Sequence, residues 1–173
     1  RQVAVACAQG LKQVSLELGG KSAAIVLDDA DPAKVAGAIQ SASLANSGQV
    51  CNALSRILVP ADRQDEFVEA LAAGMAAMTV GDPTDPATQL GPLVAQRQQT
   101  RVRGYIDEGR REGARLVVGG ADLPDGINTG WYVRPTLFSN ASNDMRIARE
   151  EIFGPVLTVI PYDTEDDAVR IAN

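Results

Sequence analysis

The sequence predicts an α/β fold, a mostly parallel sheet flanked by helices. Two observations carry this reading. Short runs rich in Val, Ile and Leu alternate along the chain with amphipathic stretches of roughly ten to twenty residues, the order expected when helices cross over between strands. One of the runs, Ala23-Ala24-Ile25-Val26-Leu27, is continuously apolar, as in a strand covered on both faces. With 173 residues and 45% hydrophobic content, the chain can bury one substantial core and reads as one globular domain.

Taken in order, Val3, Val5, Ala6 and Leu11 suggest a short helix that stops near Gly10. Val14-Ser15-Leu16-Glu17-Leu18 alternates as a strand does and delivers Glu17 to a turn at Gly19-Gly20. After the apolar run at 23–27, Asp31 is placed to cap a helix that begins at Pro32. That helix extends to about Ala45, with Val35, Ala38, Ile39, Ala42 and Ala45 on its inner face. Ser55-Arg56-Ile57-Leu58-Val59 reads as a strand ending at Pro60, and Phe67, Leu71, Met75 and Met78 mark the inner face of the next helix.

A turn-rich connector, Asp82-Pro83-Thr84-Asp85-Pro86, follows. A helix over about 95–113 then has Val102, Tyr105 and Ile106 inside and Gly113 as its stop, before Arg115-Leu116-Val117-Val118. The glycine-, Asp- and Asn-rich stretch 119–130 is a loop, and Pro135 implies an edge position or a break in the strand around 132–138. Residues 155–161 form the last strand, and Thr164 caps a final helix.

Composition excludes several classes of function. A net charge of −6 with no Lys/Arg block argues against a nucleic-acid partner. No apolar run reaches the roughly 18–20 residues of a membrane span, and the N-terminus lacks the order of a signal peptide, so a soluble, cytoplasmic protein is expected. Cys7 and Cys51 are expected to be reduced, with Cys7 on an apolar helix in the core. The chain begins at Arg1 without methionine and ends inside a helical pattern, so both ends read as cut.

There is no histidine, which removes Ser-His-Asp and Cys-His pairs and any His-ligated metal site. Covalent chemistry then needs another base, and Glu17 with Cys51 is the candidate pair; no metal site is expected. Ser47 and Gly48 permit a sharp turn just before Cys51, which would present the sulfur and aim the Cys51 backbone N–H at a developing oxyanion. On spacing alone the commoner reading of Cys51 is a small buried residue at a helix-to-strand junction. Glu17 is either a surface residue of an alternating strand or a general base in a partly apolar pocket. Glu150-Glu151-Ile152-Phe153-Gly154-Pro155 fits an exposed helix end, and no G-x-G-x-x-G follows a strand.

Three separated segments resemble the aldehyde dehydrogenase superfamily, in family order: Leu16 to Ser22 its glutamate motif, Leu44 to Cys51 its cysteine motif, and Glu150 to Val156 its E-E-I-F-G-P-V segment. Leu90-Gly91-Pro92-Leu93 and the stretch from Gly130 to Thr136 are lesser matches. The resemblance implies NAD(P)-dependent oxidation of a small-molecule aldehyde to a carboxylic acid, with Cys51 as the nucleophile and Glu17 as the base that activates water to hydrolyse the thioester. Glu151 matches the glutamate that holds the nicotinamide ribose, Phe153 the aromatic beside the nicotinamide ring, and Leu18 and Gly19 positions lining its approach to the cysteine. Asn46 does not match the family's oxyanion-hole asparagine, so the hole rests on the Cys51 N–H.

By the same resemblance, residues 1–18 are the end of a cofactor-binding domain and 19–173 a catalytic domain incomplete at its C-terminus. The whole protein would be a homo-oligomer, a dimer or tetramer. The chain alone would be inactive, because hydride transfer needs a cofactor held about 3–3.5 Å from the reacting carbon. One departure is Leu44, where many members carry phenylalanine, a change expected in the wall of the aldehyde tunnel. A CoA-acylating semialdehyde dehydrogenase and a non-catalytic truncated module are the rivals; Glu17 favours water over CoA, and the intact Glu17, Cys51 and Glu151 favour an enzyme.

Overall fold

The computed structural model describes residues 1–173. Five strands, β1 (Ala23–Ile25), β2 (Arg56–Pro60), β3 (Arg115–Val118), β4 (Thr136–Ser139) and β5 (Val156–Tyr162), form one sheet in the order β1-β2-β5-β4-β3. The β1·β2, β2·β5 and β5·β4 pairings are parallel and only β3·β4 is antiparallel. The helices are α1 (Gln2–Gln9), α2 (Pro32–Ser43), α3 (Gln64–Ala76), α4 (Gln96–Arg111), α5 (Arg146–Arg149) and α6 (Glu165–Ala172).

The sheet divides two cores. Ile57, Val59, Leu137, Leu157 and Val159 pack with Ala36 and Ile39 of α2 and with Phe67, Leu71 and Met75 of α3. On the other face, Leu58, Phe138, Val156 and Ile160 pack with Val102 and Ile106 of α4, Ile147 of α5 and Ile171 of α6. Because helices cover both faces, every residue of β2 is buried, which explains its unbroken apolar run. Each fully buried Leu, Ile or Phe contributes at most about 1.5–3 kcal/mol.

Helix termini follow the predicted chemistry. Asp31 accepts from the Lys34 N–H at 2.9 Å ahead of Pro32, Thr164 accepts from the Asp167 N–H at 3.2 Å, and Gly113 takes a φ of 94° just past α4. The buried guanidinium of Arg56 ties β2 to α6 by donating to the carbonyls of Ile171 (2.8 Å) and Ala172 (2.9 Å) and to that of Lys21 (3.0 Å).

Several expectations are corrected. Residues 14–18 form no strand: all are exposed and no neighbouring strand takes up their backbone groups. β1 is an edge strand, so Ile25 and Leu27 remain exposed where two-sided cover was expected. α2 ends at Ser43 and buries Ala36, Ile39 and Ser43, with Ala38, Ala42 and Ala45 facing outward, because a stripe of alanines specifies a helix face weakly and the Ser43 hydroxyl is drawn in to donate to the Leu54 carbonyl at 2.8 Å. Cys7 is half-buried on a helix with no buried residue, not in the core. Pro135 marks a break, since β4 starts at the next residue and lies inside the sheet. Both cysteines are free thiols, and no helix is long and apolar enough to cross a membrane.

Candidate functional site

The loop after α2 makes the turn expected before Cys51, with a sharper bend than the sequence suggests. Asn46, Ser47 and Gly48 are consecutively left-handed, at φ values of 50°, 56° and 73°. A non-glycine residue held there costs on the order of 1–3 kcal/mol, less for Asn, so the surroundings must enforce it. Ser47 Oγ donates to the Gly91 carbonyl at 2.8 Å, Asn46 Nδ2 to the Gln49 carbonyl at 3.2 Å, and Gln49 Nε2 to the Asn46 carbonyl at 3.1 Å. Gln49 Oε1 accepts from the Val94 N–H at 3.0 Å. Cys51 emerges exposed beyond this turn, not buried at a junction, and its backbone N–H makes no hydrogen bond within the protein.

The segment from Glu17 to Lys21 lies over this loop without regular structure. Its glycines permit the approach. A Cβ on Gly19 would stand 2.1 Å from Glu151 Oε2, and one on Gly20 would stand 3.0 Å from the Cys51 carbonyl oxygen. The Gly20 N–H donates to Glu151 Oε1 at 3.3 Å. Lys21 Nζ is buried with no hydrogen-bond partner; burial, and then the Arg56 guanidinium, lower its pKa to about 8 against a weaker opposing pull from Glu151. Glu17 is exposed, the first of the two settings the sequence allowed, although no paired strand lies beside its segment.

The two adjacent acids after α5 part company. Glu150 turns to a surface network: Arg146 Nε and Nη2 donate to it at 2.9 and 3.0 Å and the Tyr105 hydroxyl at 2.6 Å, and these bonds hold its carboxyl down at about 2. Glu151 turns toward Gly20. Phe153 is left-handed at a φ of 61°, and Gln98 Nε2 secures it by donating to the carbonyls of Ile152 (3.1 Å) and Phe153 (2.6 Å). Arg101 Nη2 donates to the Glu151 carbonyl at 2.6 Å.

These segments enclose an open cleft of about 480 Å³ lined by Glu17, Leu18, Gly19, Gln49, Val50, Cys51, Glu151 and Phe153. All six residues singled out from the sequence therefore meet in one place. Leu44 does not belong to it: the side chain is buried in the core beneath α2 and α3, where a tunnel wall was expected. The bracing residues Gln49, Gln98 and Arg101, and the buried, unpartnered Lys21 ammonium, were missed. Gln49 carried a signal, lying inside the cysteine motif. Gln98 and Arg101 sit on a helix whose polar spacing does not distinguish a brace from a solvated face. No three His, Cys, Asp or Glu side chains are grouped to hold a metal ion.

An exposed thiol beside two carboxylates and an aromatic ring, in an open cleft on an α/β scaffold, is what fold and site define, and comparison with known proteins supplies the family. The aldehyde dehydrogenase family matches residues 1–173. The chain belongs to that family. It is 50% identical over 173 residues to the geranial dehydrogenase of Castellaniella defragrans, covering 100% of this chain and 36% of that protein. Aldehyde dehydrogenase C of Pseudomonas syringae, solved as a Cys-to-Ala mutant with NAD+ and octanal, superposes with a TM-score of 0.95 at 46% identity, over 99% of this chain and 36% of that one. A Mycobacterium tuberculosis aldehyde dehydrogenase bound to NAD+ gives a TM-score of 0.94 at 50% identity, over 99% and 35%. The chain thus spans about a third of the length of the relatives it matches.

Proposed function

We propose that the chain is the catalytic portion of an NAD(P)-dependent aldehyde dehydrogenase that converts an aldehyde to a carboxylic acid through a thioester on Cys51. The meeting of Cys51, Glu17, Glu151 and Phe153 in one cleft carries this reading. Residues 19–173 are read as the thiol domain and 1–18 as the end of a cofactor-binding domain, in keeping with an α1 that buries none of its own residues. The complete protein is read as a cytoplasmic homo-oligomer acting on small-molecule aldehydes, with no role for nucleic acid or membrane.

The residues present fit the nicotinamide end of the cofactor. Glu151 keeps Oε2 free of protein hydrogen bonds, which suits sugar hydroxyls, and the part-exposed Phe153 ring offers a flat apolar face. Gly19 has no side chain to displace the Glu151 carboxylate. NAD(P), when bound, supplies the hydride acceptor.

Cys51 Sγ, as the thiolate, adds to the aldehyde carbon, and the carbonyl π pair moves to oxygen, where the free Cys51 N–H donates. Loss of hydride from that carbon leaves a thioester on the sulfur. Glu17 then takes a proton from water as the water oxygen attacks the thioester carbon. Collapse breaks the C–S bond, returning the thiolate and releasing the acid.

The test uses the complete protein. Cys51→Ala is expected to abolish NAD(P)H formation. Glu17→Gln is expected to slow turnover by about 10²–10⁴-fold while leaving a single burst of NAD(P)H and an acyl adduct on Cys51 visible by mass spectrometry. Undiminished turnover by Cys51→Ala would overturn the reading.

A further inference from the structure

We infer that Gln49 is a positioning residue that aims the Cys51 thiol, and that its side-chain amide is required for this. The inference rests on the reading of Cys51 as nucleophile. Gln49 stands two residues before Cys51, directly after the left-handed run at 46–48, and is buried at 9% exposure although it carries a primary amide. Both ends of that amide are used. Nε2 donates to the Asn46 carbonyl at the start of the run, and Oε1 accepts from the Val94 N–H on the segment leading into α4. The Gln49 backbone joins the same ring, its N–H donating to the Asn46 carbonyl at 3.1 Å and its carbonyl accepting from Asn46 Nδ2.

The chemistry of the two contacts selects glutamine. One partner is an acceptor and the other a donor, so the brace needs a donor and an acceptor at the tip of one side chain of this length. Glutamate would set a carboxylate oxygen against the Asn46 carbonyl, methionine would satisfy neither partner, and asparagine is one methylene shorter. The Ser47 hydroxyl fixes the same turn to Gly91, so the loop is anchored to the 91–94 segment at two points. Gln98, in the first turn of α4 just beyond that segment, holds the carbonyls of Ile152 and Phe153. The two walls of the cleft thus share one base, and Gln49 is the connection on the thiol side.

The test compares Gln49→Met with Gln99→Met in the complete protein. Gln99 is a glutamine of similar burial whose Nε2 donates to the Tyr132 carbonyl at 2.8 Å, away from the cleft. Gln49→Met is expected to lower kcat by about tenfold to a hundredfold with KM for the cofactor little changed, since a small misplacement of a reacting atom is enough for such a loss. Its Cys51 should also alkylate more slowly with iodoacetamide, measured against Cys7 as internal reference. Gln99→Met is expected to lose comparable thermal stability while keeping its kcat. Wild-type kcat in Gln49→Met, or an equal fall in Gln99→Met, would overturn the inference. Should Gln49→Met not fold, Gln49→Glu decides: a fall in kcat supports the brace and an unchanged kcat refutes it. Full turnover by Cys51→Ser would instead bring down the catalytic reading itself, whereas an inactive Cys51→Ser beside a fully active Gln49→Met would defeat only the positioning role.

Discussion

A Cβ built on Gly48 would stand 2.2 Å from the carbonyl oxygen of Gly154. The two glycines form the joint at which the loop ending in Cys51 rests on the loop carrying Glu151 and Phe153. A side chain at 48 would meet backbone that cannot swing aside, at a φ of 73° that disfavours it in any case. Gly48→Ala is therefore expected to cost at least about 3 kcal/mol in urea unfolding and to slow alkylation of Cys51. Gly37 and Gly104 provide the contrast, since both lie inside helices with nothing within 4 Å of a built Cβ. Alanine at either is expected to stabilise by about 0.5–1 kcal/mol.

Gln98 is the corresponding brace on the opposite wall. Its amide donates to two successive carbonyls around the left-handed Phe153, and alanine there would leave that conformation unsupported. Gln98→Ala in the complete protein is expected to raise KM for NAD(P) by about tenfold, with a smaller effect on aldehyde KM, as initial rates at varied cofactor would report. Equal changes in both constants would show that the Phe153 wall is not what Gln98 maintains.

Much of this architecture was legible because burial imposes a period on sequence. β2 and β5 read as strands because helices cover both their faces, and α3 read as a helix because Phe67, Leu71 and Met75 must all reach one core. The segment 14–18 misled because alternation reports a half-buried face only where something lies against it. At the site, the cleft-lining residues Glu17, Cys51, Glu151 and Phe153 were legible from their types and motifs. The braces were not, because a glutamine that bonds backbone groups far along the chain looks in sequence like any solvated glutamine. The left-handed turn was only half visible, since Gly48 announces such a conformation whereas Ser47 adopts it under constraint from Gly91.

The Glu150–Arg146–Tyr105 network should govern behaviour in acid. Arg146 and the Tyr105 hydroxyl hold the Glu150 carboxyl at about 2 in the fold, below the carboxylate value in an unfolded chain. A depressed folded value means stability that is fully present above the unfolded pKa and lost as pH falls toward 2. The Arg146 and Glu150 side chains are both well exposed, so salt should weaken the effect. Thermal melts between pH 5 and 2 are expected to show a steeper decline for the wild type than for Arg146→Met, with the two curves converging at the acid end.

Lys21 gives the opposite sign. Its ammonium is buried without a hydrogen-bond partner beside Arg56, and burial brings its pKa to about 8 from 10.5. Between those values the unfolded chain binds more protons than the folded one, so stability rises with pH across the window; below pH 8 the penalty is present in full. A shift of that size corresponds to about 3 kcal/mol, reduced in practice by local relaxation and water penetration. The attraction of Glu151 is the weakest of the three influences on Lys21, so removing the charge should gain more than it loses. Lys21→Met is accordingly expected to be more stable than the wild type in urea at pH 7, with the advantage shrinking toward pH 10. An advantage that did not change with pH would trace to packing of the methionine, and a destabilised variant would mean that the Lys21–Glu151 attraction outweighs the burial of an unpartnered charge.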